Sequence, residues 1–182
     1  MIEELAIPDI LLIDQKKFLD DRGCFFENFN QNSFYKETGH NVKFVQDNVS
    51  VSKKNVLRGL HLQIAPKAQS KLISVIQGEI FDVAVDIRKK SPTIGQYISV
   101  ILSSETSQKL FIPDGFAHGF LVLSETAIVT YKTSNYYSQE HERSIIWNDD
   151  DLNIQWPTKS IIISKKDSAA DKFNYFCSNN LI

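Results

Sequence analysis

The chain is poor in cysteine, with two in 182 residues. Cys24 and Cys177 lie far apart without a metal-ligand spacing, and in a reducing compartment both stay thiols, so neither is given a role. An excess of either charge is also missing. Twenty Lys and Arg stand against 22 Asp and Glu, a net charge of −2. Phosphate neutralisation needs clustered basic residues, so nucleic acid is not an expected partner. The opening MIEELAIPDILL mixes acids and a proline into a short apolar run, with no basic start and no cleavage site. No secretory signal is read there, no membrane contact is expected, and the expected location is the cytoplasm. Apolar residues make up 42% and charged residues 23%. That balance is ordinary for a globular protein with a core and excludes disorder and membrane insertion as readings.

What the chain does have is a series of short runs rich in β-branched and aromatic residues from about residue 42 onward. They read VKFVQ, NVLRGLHLQI, KLISVIQ, EIFDVAVDI, QYISVILS, KLFIP, HGFLVLS and AIVTYKTS. Turn residues separate them, among them Ala65-Pro66, Gly78, Ser91-Pro92-Thr93 and Pro113-Asp114-Gly115. This punctuation predicts an all-β barrel or sandwich, and no helical period of comparable length competes. Near the C-terminus SKKDSAADKFNYF predicts one short helix, starting near Asp167 or Ser168 with Phe173 and Phe176 three apart. No repeat or linker marks a second domain, so residues 1–182 are read as one domain.

Inside the strand-like stretch LRGLHLQIAPKAQSKL stand an arginine, a histidine and a lysine. Burying a charge costs several kcal/mol unless it is paired, so these residues face either water or a ligand that repays the cost. Strand alternation puts Gly59, His61 and Gln63 on one face and Arg58, Leu60 and Leu62 on the other. For Arg58 and His61 to share a pocket the strand must be irregular, and Gly59 is where a bulge can form. Taken singly, each polar residue also has a plain structural role. His61 reads as a satisfied core histidine, His118 as a turn residue, Tyr131 as strand packing and Asp167 as a helix cap.

Pro113, Gly115 and His118 match P-x-G-x-x-H, the second motif of the cupin barrels, which the chain resembles. Metal-binding cupins carry H-x-H and a glutamate in the first motif. Here Gln63 follows His61, and Lys71 stands seven positions before Gly78. An ammonium in place of a carboxylate ligand repels a divalent cation, so no metal and no cofactor are expected. Without a metal, a histidine near neutrality can move a proton and a lysine in a dry cavity can stabilise an oxyanion. Tyr131 can donate a proton, and Asp167 can orient an imidazole.

Nine collinear segments resemble the dTDP-4-dehydrorhamnose 3,5-epimerase family, from about residue 7 to 168. They are DDRGCFFE, VQDNVS, VLRGLHLQ, QSKLISVIQGEIFDVAVDIR, SPTIGQY, IPDGFAHGFLVLS, YKTSNYYSQEHERSIIWND, IQWP and ISKKD. The resemblance implies a metal-free cupin-type β-barrel or jelly roll with short peripheral helices. It also implies a homodimer that acts on a dTDP-sugar with a C4 ketone, in deoxysugar supply such as that of L-rhamnose. By the same resemblance His61 is the base, Asp167 its orienting partner, Tyr131 the opposing acid and Lys71 the oxyanion stabiliser. Arg58 holds the diphosphate, and His118 contacts the sugar or phosphate region. Gln46, Asp47 and Asn48 lie near nucleotide and sugar, Tyr137 and Glu142 at the nucleoside end, and Lys166 beside the dyad aspartate. Arg22, Phe25 and Glu27 contact the nucleotide from a segment that can reach into the neighbouring subunit's pocket. Leu62 stands where the family commonly has an aromatic. The same scaffold also fits a mono-epimerase, a 3,4-ketoisomerase or a non-catalytic sugar-nucleotide binder; a metal-dependent cupin oxygenase is a further alternative.

Overall fold

The computed structural model describes residues 1–179. Two antiparallel sheets pack face to face in a jelly-roll-like sandwich and stay separate, so the expected barrel is open rather than closed. The first has the order β1 (Ile2–Glu4), β2 (Leu11–Ile13), β10 (Lys109–Ile112), β7 (Lys71–Gln77), β12 (Thr126–Thr133), β5 (Gln46–Lys53). The second runs β13 (Glu142–Ser144), β6 (Leu57–Gln63), β11 (Phe116–Val122), β8 (Glu79–Asp86), β9 (Tyr97–Ser103). A separate hairpin pairs β3 (Phe18–Asp20) with β4 (Gly23–Phe25).

Strand alternation sorts the side chains into three layers. Ile73, Val75, Ile80, Ala84, Phe120 and Val129 fill the space between the sheets. Burying a side chain of the size of Ile73, Val129 or Phe120 is worth about 1.5–3 kcal/mol in transfer from water. On the outer face of the six-stranded sheet Leu72 and Phe111 pack against Phe34 of α1 (Gln31–Thr38), which Asn30 caps. On the outer face of the five-stranded sheet Leu60, Val83 and Val85 are covered by the C-terminal segment through Phe173 and Phe176.

The C-terminal segment departs from the single helix expected. It forms α2 (Lys165–Ser168), capped by the Ser164 hydroxyl, and α3 (Phe173–Ser178). A bridge between Asp171 and Ile145 interrupts them. The buried Asp149 carboxylate accepts backbone N–H bonds from Asp151, Leu152 and Phe173 at 2.9, 3.2 and 2.8 Å, which ties α3 down. Together with a bridge from Ile162 to Val56, these anchors fix where α2 and Asp167 sit.

The run VKFVQ was expected as a strand, yet β5 starts only at Gln46. Val42 and Phe44 pack into the outer cluster beside α1 instead. In β5 Gln46, Asn48, Ser50 and Ser52 face inward while Val49 and Val51 are exposed, which inverts the usual alternation. Of those inward polar groups Ser50 lines the cavity described below, and Ser52 accepts from Arg58 beside it.

Candidate active site

Between the two sheets one end of the sandwich is polar. A cavity of about 330 Å³ is lined by Arg58, His61, Lys71, His118, Tyr131 and Glu142, among others. His61 comes from β6 in the five-stranded sheet, and Lys71 and Tyr131 come from β7 and β12 in the six-stranded sheet. The imidazole and the phenol therefore approach the same space from opposite walls.

Arg58 and His61 share this cavity because β6 is irregular between them. His118 lies opposite His61 and Phe120 opposite Arg58, so two steps on β11 match three on β6. Gly59 takes φ 125°, and a Cβ there would lie 2.5 Å from the Gly119 Cα. A Cβ at Gly119 would in turn lie 2.8 Å from the Arg58 carbonyl oxygen. The paired glycines let the two strands close up around the bulge, and the bulge turns the guanidinium inward.

His61 Nε2 lies 2.7 Å from Asp167 Oδ1. With Nε2–H donated to the carboxylate, the lone pair is on Nδ1, which can act as a base. Asp167 is buried, and the Gly59 N–H donates to its other oxygen at 3.5 Å. Burial pushes the Asp167 carboxyl up, but hydrogen bonding and charge from His61, with help from Gly59 and Ser164, hold it below the usual range. Lys71 Nζ donates to the His61 carbonyl at 2.9 Å. Burial lowers its pKa to about 8, against the pull of the Asp82 and Glu142 charges. Tyr131 is shifted upward by burial, with Arg58 opposing and Glu142 reinforcing, so its hydroxyl keeps its proton at neutral pH.

The remaining residues divide. Arg58 Nε donates to the Ser52 hydroxyl at 3.0 Å, and Arg58 forms no ion pair among the described residues. Tyr137 OH donates to Glu142 at 2.8 Å, and Lys166 Nζ donates to the same oxygen at 2.5 Å, which ties these three groups together at the pocket mouth. Gln46 accepts from the Tyr137 N–H at 3.0 Å and donates to Asn48 at 2.9 Å. Asp47 points elsewhere in the single chain. Alternation along β5 turns its side chain to the opposite face, where Lys132 Nζ donates to both carboxylate oxygens. Arg22, Phe25 and Glu27 also lie outside the pocket in the single chain. Arg22 pairs with Asp20, Phe25 is exposed on the β3–β4 hairpin, and Glu27 borders a different cavity.

Two polar positions were given no role by the sequence reading. Asp82 is fully buried and accepts from His118 Nε2 at 2.9 and 3.0 Å, while its charge also supports protonated Lys71. Its signal was an acid inside the apolar run IFDVAV, which folding tolerates only with a buried partner. Gln63, where a metal cupin has its second histidine, is used by the backbone. It accepts from the Ser138 N–H at 2.7 Å and donates to the Lys67 carbonyl at 2.6 Å. No cluster of three or more His, Cys, Asp or Glu residues able to hold one ion occurs among the described residues.

Residues 4–175 match the family model for dTDP-4-dehydrorhamnose 3,5-epimerase. The epimerase of that name from Shigella flexneri is 53% identical over 92% of each chain, and that from Salmonella typhimurium 54% identical over 93% of each. Among solved structures, the Legionella pneumophila dTDP-6-deoxy-D-glucose-3,5-epimerase in complex with dTDP-4-keto-L-rhamnose has a TM-score of 0.95 at 45% identity. It covers 100% of this chain and 96% of its own. The 3'-monoepimerase from Streptomyces bikiniensis, in complex with dTDP-quinovose, has a TM-score of 0.93 at 30% identity, covering 99% and 91%.

Proposed function

Since the chain belongs to the dTDP-4-dehydrorhamnose 3,5-epimerase family, we infer that it is an isomerase inverting C3 and C5 of dTDP-4-dehydro-6-deoxy-D-glucose. The product is dTDP-4-dehydro-L-rhamnose, in the supply of dTDP-L-rhamnose. The observation that carries this reading is the placement of His61 and Tyr131 on facing sheets around one cavity.

The C4 ketone acidifies the hydrogens at C3 and C5. His61, oriented by Asp167, takes one of them and leaves an enolate whose oxygen gains negative charge. Lys71, buried and protonated below about pH 8, stabilises that oxygen. Tyr131 returns a proton to the carbon from the opposite face, and the centre inverts. Net proton traffic then runs from the imidazolium back to the tyrosinate through solvent or product exchange. Arg58 offers a planar donor fork to the diphosphate. Gln46, Asn48, Tyr137, Glu142 and Lys166 form the nucleotide end, with His118 behind the sugar.

The chain is read as one domain acting in a homodimer, with the β3–β4 hairpin reaching a partner's pocket. Phe18, Leu19 and Phe25 on that hairpin are 52, 78 and 71% exposed, an apolar surface that a second copy would cover. In that assembly Arg22, Phe25 and Glu27 would meet the neighbouring nucleotide, and Asp47 would serve through its backbone. A cytoplasmic location fits the two free thiols.

Incubation with dTDP-4-dehydro-6-deoxy-D-glucose in D₂O, followed by NMR at C3 and C5, tests the reading. Deuterium with inversion at both carbons is expected. Exchange at one carbon alone selects the mono-epimerase activity named for the Streptomyces bikiniensis neighbour. Carbonyl migration selects a ketoisomerase, and no exchange by folded protein leaves a binding role.

A further inference from the structure

Two loops border the His61 pocket on the side of Tyr137: residues 64–70 between β6 and β7, and residues 134–141 between β12 and β13. Neither contains a helix or strand, so no ladder fixes Tyr137, which is 56% exposed. Backbone bonds secure the ends of the second loop, from the Ser134 N–H to the Ser70 carbonyl and from the Ile64 N–H to the His141 carbonyl. The stretch around Tyr137 is held instead by side-chain amides.

Gln63, the last residue of β6 and 6% exposed, is the central one. Its Oε1 accepts from the Ser138 N–H at 2.7 Å, and its Nε2 donates to the Lys67 carbonyl at 2.6 Å and to the Tyr136 carbonyl at 3.3 Å. One amide therefore grips the two peptide groups that flank Tyr137 and ties them to the first loop. Gln46 accepts from the Tyr137 N–H at 3.0 Å. Farther along, Gln69 donates to the Asn135 carbonyl at 2.7 Å, and Asn135 donates back to the Ala68 carbonyl at 2.8 Å. The Ser138 N–H needs an acceptor and the two carbonyls need donors, a combination that a neutral amide supplies. Both N–H groups of Gln63 are thereby committed. It lines the cavity two residues from His61, yet it has no donor left for a ligand.

We infer, given the placement of Tyr137 at the nucleotide end proposed above, that Gln63 is a positioning residue for nucleotide recognition. It acts on the ligand through Tyr137, by holding that ring's loop in place before binding, and it moves no proton. A loop already fixed spares the ordering cost that binding would otherwise meet, so loss of the clamp appears in affinity.

Calorimetric titration of the intact protein with dTDP, together with turnover of the nucleotide sugar, tests this. Gln63→Met keeps the length and removes the hydrogen bonds. It should weaken dTDP binding about tenfold and raise KM with it, while kcat changes by less than about twofold. Hydrogen exchange should quicken at the Ser138 amide and through residues 134–141, but not in β7 or β12. In a Tyr137→Ala background Gln63→Met should weaken dTDP by less than about twofold, since the group it acts through is gone. If Gln63→Met does not fold, Gln63→Asn, an amide one methylene shorter, carries the same cycle with about threefold weakening expected. Unchanged affinity in the Gln63 variant, a full effect that persists without Tyr137, or a fall in kcat as large as the rise in KM would each overturn the inference. The last would mean that Gln63 touches the sugar. Failure of the wild-type protein to bind dTDP would overturn the nucleotide reading itself, and the role of Gln63 with it.

Discussion

Two imidazole–carboxylate pairs lie on adjacent strands, since His61 and His118 are register partners, yet they are built for different work. The His118 side chain is 8% exposed, and its carboxylate, Asp82, comes from the neighbouring strand β8 within the same sheet. The His61 side chain is 34% exposed, and its carboxylate arrives from α2, 106 residues away in sequence. One pair is nearly buried in the cavity wall, where it can hold a ring and balance Lys71. The other has one side locked and the other open, which is what a base that must reach a substrate carbon requires. The same two residue types therefore do not define a role; how openly each ring faces the cavity does.

The sharpest test of this contrast is removal of each ring. His61→Ala should lower deuterium exchange at C3 and C5 by about 10³- to 10⁴-fold with the fold intact, whereas His118→Ala should cost about tenfold. Equal losses would erase the distinction. The carboxylates should show the reverse order in stability. Asp82→Ala leaves His118 and Lys71 buried without their acid and should cost about 3–5 kcal/mol in denaturant unfolding, more than Asp167→Ala at the edge of the cavity. Tyr131→Phe should slow inversion by about 10²-fold while proton removal by His61 continues, so exchange and inversion would separate. Equal slowing of both would place the phenol on the same side as the imidazole.

The smallest effects concern pH. Because Lys71 titrates near 8 in the fold and near 10.5 when free, its cost to stability is fully present below pH 8 and is relieved as pH rises toward 10.5. The displacement corresponds to about 3 kcal/mol at most. Lys71→Met should thus raise unfolding stability at pH 7 while turnover collapses, and wild-type turnover should fall above about pH 8 as the ammonium is lost. Asp167 has the opposite sign. Its lowered pKa stabilises the fold above the unfolded value and is lost as pH falls through the folded one. A Lys71→Met protein that is both active and no more stable would remove the lysine from the mechanism.

Much of this was legible in the residues. The runs KLISVIQ and EIFDVAVDI lie almost rung for rung on β7 and β8, because short, nearly continuous apolar runs separated by Gly78 suit strands buried on both faces. Gly59 beside a strand arginine announced the bulge. The stretch before residue 42 was not legible: β1 to β4 are three residues each, too short for periodicity to register. β5 was misplaced by pattern, since its inward face is polar and its outward valines mimic a core.

Sequence by itself determined the layered all-β class, the family, and the set of proton-moving and charge-holding groups, because hydrophobic period and residue chemistry are local properties. Tertiary structure alone decided which of those groups meet. It brought Asp167 to His61 through the anchored C-terminal segment, turned Asp47 away while Gln46 and Asn48 faced in, and buried Asp82 beside His118. Proximity across a sandwich depends on register and on bulges between strands far apart in the chain, and those follow from the packing of the whole core.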